Sequence, residues 1–218
     1  MNALYFFILS SIEFFSGLCL ILTMFMFPIR TYLPHLVFTS LILTQTSYLF
    51  FEVFSLQWLG PVVQLFMVLL FFWLMFRIQL FYATIMGIVG YIGVFVIQIL
   101  IIFFGELLHI ITMQEMLENK ILSYTMQLVN SAAAILISIF LKRYRIGFTF
   151  IPDSEKYNLS LRGNNLLFLI VMVIAAAFLN IFLPFVYGNT IYFPIFAFAQ
   201  LIIFVILLLL TFKKEEKR

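Results

Sequence analysis

Seven apolar runs, each about 19–25 residues long, constrain this chain more than any other feature. They cover residues 3–27, 32–54, 58–76, 80–104, 121–141, 166–186 and 190–212. A helix of about 20 residues crosses a hydrocarbon core about 30 Å thick. Membrane strands need only about 9–11 residues with strict alternation, and these runs have neither property. The expected fold is an all-α integral membrane protein. It has seven transmembrane helices within residues 1–212 and a charged tail at 213–218. Composition agrees: only 10% of the residues are charged, where a soluble domain carries about 25%. No Lys or Arg precedes the first run, which is far longer than the core of a secretory signal. It is expected to remain as a helix.

The interval 142–162, KRYRIGFTFIPDSEKYNLSLR, is the one long polar stretch between runs, and it holds five of the twelve Lys and Arg residues. Cytoplasmic loops retain such residues, so it is expected in the cytoplasm. With seven spans, Arg30, Arg77 and the tail fall on the same side. Eleven of the twelve basic residues then lie together, and Lys120 alone lies opposite. The N-terminus is therefore expected outside and the C-terminus inside. The basic excess is a topology signal rather than a nucleic-acid surface, because it forms no face on a soluble element.

Polar residues inside spans are costly and tend to face the bundle interior. Glu13, Gln45, Gln64, Gln98, Gln127, Asn130, Asn180 and Gln200 are the candidates. Most of them fall roughly 10–15 Å below the outer surface at 1.5 Å per residue. Two readings stay open for this layer. It lines a ligand pocket open to the outside over an apolar plug, or its amides only bond helix to helix. Glu13 is the one ionisable side chain near the middle of a span, and Ser10, Glu13 and Gly17 share a helix face. It either meets a cationic ligand group, changes protonation between states, or sits as a neutral acid against an amide of another helix. Glu52, nearer the interface, is expected to be solvated.

Ser123, Gln127, Asn130, Ala134 and Ser138 form a small-polar stripe, expected to face the bundle or a second copy in a homodimer. Gly87, Gly90 and Gly93 are expected to be close-packing positions. No strand precedes them, so they are not a dinucleotide loop. The interval 105–120, with Glu106 and His109, suits a short interfacial helix over the pocket. His35 and His109 fall on opposite sides and cannot cooperate. Cys19 is the lone cysteine, so no internal disulfide forms, and no residue pattern suggests a metal, cofactor or catalytic site. Glu13 and Glu52 differ in depth by roughly 12 Å, too far for a catalytic pair.

The seven-run layout, the outside N-terminus, the KRYRIGFTFIP loop before the last helix pair and the charged exit KKEEKR resemble a known family. They look like the membrane sensor region of Gram-positive sensor histidine kinases with a GHKL-type ATPase domain, including quorum-sensing peptide receptors. The resemblance implies a bacterial cell membrane, an extracellular peptide or small-molecule ligand, a dimer and a cytoplasmic kinase output. The sequence carries no phosphoacceptor helix or ATP-binding domain, and neither His35 nor His109 matches the family's phosphorylated position. The chain is expected to be the sensor portion of a longer protein or a standalone relative. The competing expectation is a polytopic transporter or transporter subunit. Against it, seven spans do not divide into two equal repeats, and the inner half offers no polar exit.

Overall fold

A computed structural model describes residues 3–54, 56, 59–151 and 164–216. Lys156 and Arg162 of the basic interval, Trp58 and the last two residues of the tail lie outside them. Among the described residues every regular element is helical. In chain order they are α1 (Ala3–Met24), α2 (Ile29–Tyr48), α3 (Gly60–Leu74), α4 (Leu80–Leu107), α5 (Met113–Glu118), α6 (Lys120–Tyr144), α7 (Asn164–Gly188) and α8 (Phe193–Glu215). A π-helical turn, Leu49–Val53, extends α2.

Among the described residues five elements are long and apolar enough to cross a membrane: α1, α2 with its π turn, α4, α6 and α8. Seven were expected. The third, α3, spans 15 residues, only about 22 Å. It starts late because Pro61 sits in its first turn, and it stops at Leu74, before Arg77 takes a left-handed conformation. Helix α7 is 25 residues long and largely apolar in sequence, so its length suits a span. Left-handed residues also follow α1, α4 and α6, at Met26, His109 and Arg145. In each case a non-glycine residue ends the helix and reverses the chain.

The chain is organised around α4, which touches α1, α3, α6, α7 and α8. The cause is legible in its glycines. A Cβ at Gly87 would run into Leu69 of α3, one at Gly90 would meet Ile21 of α1 at 2.6 Å, and one at Gly93 would meet Phe204 of α8 at 3.1 Å. Steps of three residues rotate each glycine by about 300°, so three successive ones face three different neighbours. Without side chains there, the helices approach closely, as dispersion-driven packing in lipid requires. The expectation of close packing at these glycines is met.

The largest helix contact is between α1 and α6. Ala134 and Ser138 of the small-polar stripe are buried, so the stripe faces the bundle. One end of the bundle gathers the start of α1, the π turn, the start of α3, α5 and the start of α6. The opposite end gathers Arg30, Arg77, Lys142, Arg143, Arg145, Lys213 and Lys214, while Lys120 lies at the first end.

Candidate functional site

A cavity of about 360 Å³ lies between α1, the end of α2, α3, α4, α5 and α6. Each helix brings one face. From α1 come Ser10, Glu13, Phe14, Gly17, Leu18 and Ile21; from α4, Tyr91, Val94, Phe95 and Gln98. Spacings of three and four residues put each set on one side of its helix. The three polar members of the α6 stripe nearest its start, Ser123, Gln127 and Asn130, point into the same space. The π turn adds Phe51 and Glu52. Its wider coil shifts the register of these side chains by one residue, a device often found at functional sites.

Of the eight candidate residues, Glu13, Gln64, Gln98, Gln127 and Asn130 line this cavity. Gln45, Asn180 and Gln200 do not. Gln45 is exposed, one position beyond the buried face that carries Thr44. Asn180 donates to the Ala176 carbonyl of its own helix at 2.7 Å. Gln200 is 0% exposed on the α8 face that carries Phe196, Ala197 and Leu207. Rotation about the helix axis turns these three away from the cavity.

At the centre, Asn130 Nδ2 donates to Glu13 Oε1 at 3.1 Å, joining α6 to α1. The acid therefore does meet an amide of another helix, and it does so inside the cavity. The Asn130 Oδ1 and Gln127 Oε1 acceptors are buried with no hydrogen-bond partner among the described residues. Across the cavity, the Tyr91 hydroxyl reaches the Pro61 carbonyl at 3.3 Å and Gln64 Oε1 at 3.5 Å.

At the rim, Lys120 Nζ donates to both oxygens of Glu52, at 3.0 and 3.2 Å. Glu52 was expected to be solvated. It stays exposed but is paired, because the π turn and the start of α6 bring together residues 68 positions apart. Beside them, α5 forms the expected short helix. Thr112 and Glu115 cap it reciprocally, Glu106 Oε1 accepts from Met113 N at 2.8 Å, and Met116 reaches the cavity. His109 is exposed at the turn before it.

The Glu52–Lys120 pair, Tyr91 and the aromatic wall were not among the sequence candidates. Tyr91 was within reach, since it lies seven residues before Gln98 on one face of α4. Nothing local signals the rim pair.

The opposite end is packed with apolar side chains among the described residues. Phe148, Phe150 and Ile151 of the interval after α6 are buried. Phe148 N donates to the Met24 carbonyl at 2.8 Å, and the Phe148 ring packs on Phe25 and Phe212. The Glu215 carboxylate, at the end of α8, accepts from Thr149 N, Thr149 Oγ1 and Phe150 N at 2.6–3.1 Å. Lys214 Nζ lies 4.1–5.7 Å from the ring centroids of Phe81, Tyr82, Phe150 and Phe168, an aromatic cage of the kind that holds ammonium groups. The interval and the tail, read from sequence as a polar loop and a charged exit, are clasped together.

Among the described residues no group of three His, Cys, Asp or Glu is arranged to hold a metal ion. His35 packs against the rings of Tyr32 and Phe76 at the closed end, far from His109. No protein-family model, curated protein or solved structure matches the chain.

Proposed function

We propose that the chain is a membrane-embedded receptor module that passes an extracellular signal to a cytoplasmic, histidine-kinase-type output in a bacterial cell membrane. All seven long helices cross or enter the bilayer in this reading, with the N-terminus and the cavity outside. The bilayer is the chain's constant partner, and a homodimer and a separate or attached kinase are the expected protein partners. The polarity of the bundle carries the reading. A polar cavity reaches the surface at one end, and an aromatic plug closes the other. The excess of Lys and Arg at the closed end fits a cytoplasmic face. A ligand in the cavity touches α1 and α6, which also border the closed end, where Glu215 of α8 is held. It moves that end only insofar as it binds two arrangements of the helices with different affinity.

Two measurements test this. In a Cys19→Ser background, Lys120→Cys should react with a membrane-impermeant maleimide in intact cells. Tyr144→Cys, exposed at the other end, should react only after permeabilisation. The reverse pattern sinks the orientation. Ser123→Trp, which fills the cavity, should change amide hydrogen exchange at Phe148–Ile151 in nanodiscs at least threefold. Unchanged exchange in a folded variant removes the coupling that a receptor needs. Uptake of a labelled solute into proteoliposomes would replace the receptor reading with the transporter one.

A further inference from the structure

We propose that the cavity takes an organic ammonium: one primary amine on an apolar body about the size of an aromatic ring. The inference rests on reading the cavity as a ligand site, and adds the class of ligand. Four observations converge on it. The first is charge. Of the Asp, Glu, His, Lys and Arg side chains, Glu13, Glu52 and Lys120 line the cavity. Glu52 and Lys120 neutralise each other at the rim, which leaves the Glu13 carboxyl as the unbalanced group.

The second is hydrogen-bond capacity. Glu13 accepts one bond, from Asn130, where a carboxylate has room for about four. In the lining of the same cavity, Asn130 Oδ1 and Gln127 Oε1 are buried acceptors without a donor, and Asn130 is 3% exposed. Orphaned buried acceptors are rare because each keeps its desolvation penalty. Asn180 and Gln200 hold further such acceptors outside the cavity, but these two sit on one face of α6, about one turn apart, and line the same cavity as Glu13. An ammonium brings three N–H donors and no acceptor, which matches this set. An anion or a carbonyl would add acceptors to acceptors.

The third is the wall. Phe6, Phe14, Phe51 and Phe95 line the cavity, offering ring faces that attract both apolar bodies and cations. The fourth is size. About 360 Å³ lies near the lower bound of ligand pockets, roughly 300 Å³, so it suits a single ring or one amino-acid residue rather than a folded peptide. The amine of a small molecule and the amino terminus of a peptide present the same chemistry here.

The test uses the full chain in lipid nanodiscs, with benzylammonium, phenylalaninamide, benzyl alcohol and benzoate as probes read by calorimetry. Benzylammonium should bind at least tenfold more tightly than benzyl alcohol, and benzoate should not bind. Glu13→Gln should erase that preference. Gln127→Leu should weaken benzylammonium about tenfold while leaving the unfolding temperature of the empty protein unchanged or higher, since it removes an unsatisfied acceptor. A purely structural glutamine would show the opposite signs, and this variant carries the test if Glu13→Gln fails to fold. Tighter binding of phenylalaninamide than of benzylammonium assigns the site to a peptide terminus; the reverse assigns it to a free amine. Equal binding of amine and alcohol overturns the cation preference and leaves a ligand cavity. Binding of no probe overturns the inference, and the Ser123→Trp exchange experiment then decides separately whether the receptor reading survives.

Discussion

The two ends of the bundle handle one carboxyl group each in opposite ways. At the closed end the acid is satisfied within the chain, although His35 Nδ1 there is buried without a hydrogen-bond partner among the described residues. Glu215 fills its carboxylate with two amides and a hydroxyl, Lys214 sits among four rings, and three apolar side chains of the interval after α6 fill the space between helix ends. At the cavity end, Glu13 has one donor and two neighbouring amide oxygens have none. Buried polar groups are ordinarily paired because leaving one unpaired costs about 1–3 kcal/mol. The Glu215 carboxylate is filled from within the chain and the Glu13 carboxyl is not, so the first acid adds stability and the second keeps capacity for binding.

That contrast breaks first at Phe150. Its ring is buried, packs against Phe25 and Phe148 and forms one wall of the Lys214 cage. Phe150→Ala should cost about 3 kcal/mol through lost packing and a cavity. Phe51→Ala, at the half-buried cavity wall, should cost less than half as much. Reversible unfolding in mixed micelles compares the two, and equal losses would mean that the ends do not differ in stability. Next is Glu215→Gln, which keeps one acceptor oxygen of two. A loss of about 1–3 kcal/mol is expected from the charged hydrogen bonds, with faster amide exchange at Thr149 and Phe150. Exchange left as in the wild type would show that the clasp does not hold the interval. The smallest effect is expected at the rim. Lys120→Glu removes an exposed ion pair worth at most about 1 kcal/mol after solvent screening, and Glu52→Lys with Lys120→Glu should restore it. A loss comparable to that at Glu215 would make the rim a structural lock rather than an entrance.

Much of this was legible from local sequence. Run length and composition specify helices and a bilayer, because twenty apolar residues have few other places to go. Gly87, Gly90 and Gly93 announce close packing by their spacing. Glu13, Gln127 and Asn130 announce themselves as unusual by cost alone, and the α1 and α6 faces follow from a period of 3.6. The interval 142–162 was less legible. Its basic residues mark a side of the membrane, while FTFI, read as loop, turns out to be an apolar plug over the described residues.

What tertiary structure alone decided is which polar residues share a space. Gln98 and Gln200 are both amides in mid-helix, yet one lines the cavity and the other is enclosed on the core face of α8. Helix rotation separates them, and rotation is set by how neighbouring helices pack, which no single segment encodes. The Glu52–Lys120 pair depends on the π turn, and the Glu215 clasp on two stretches more than sixty residues apart. Sequence by itself determined that these groups would sit within or beside a membrane bundle, since hydrophobic runs and charge act locally and additively. Only the packed structure decided their partners, because a hydrogen bond tests distance and direction in three dimensions and the one-dimensional pattern carries neither.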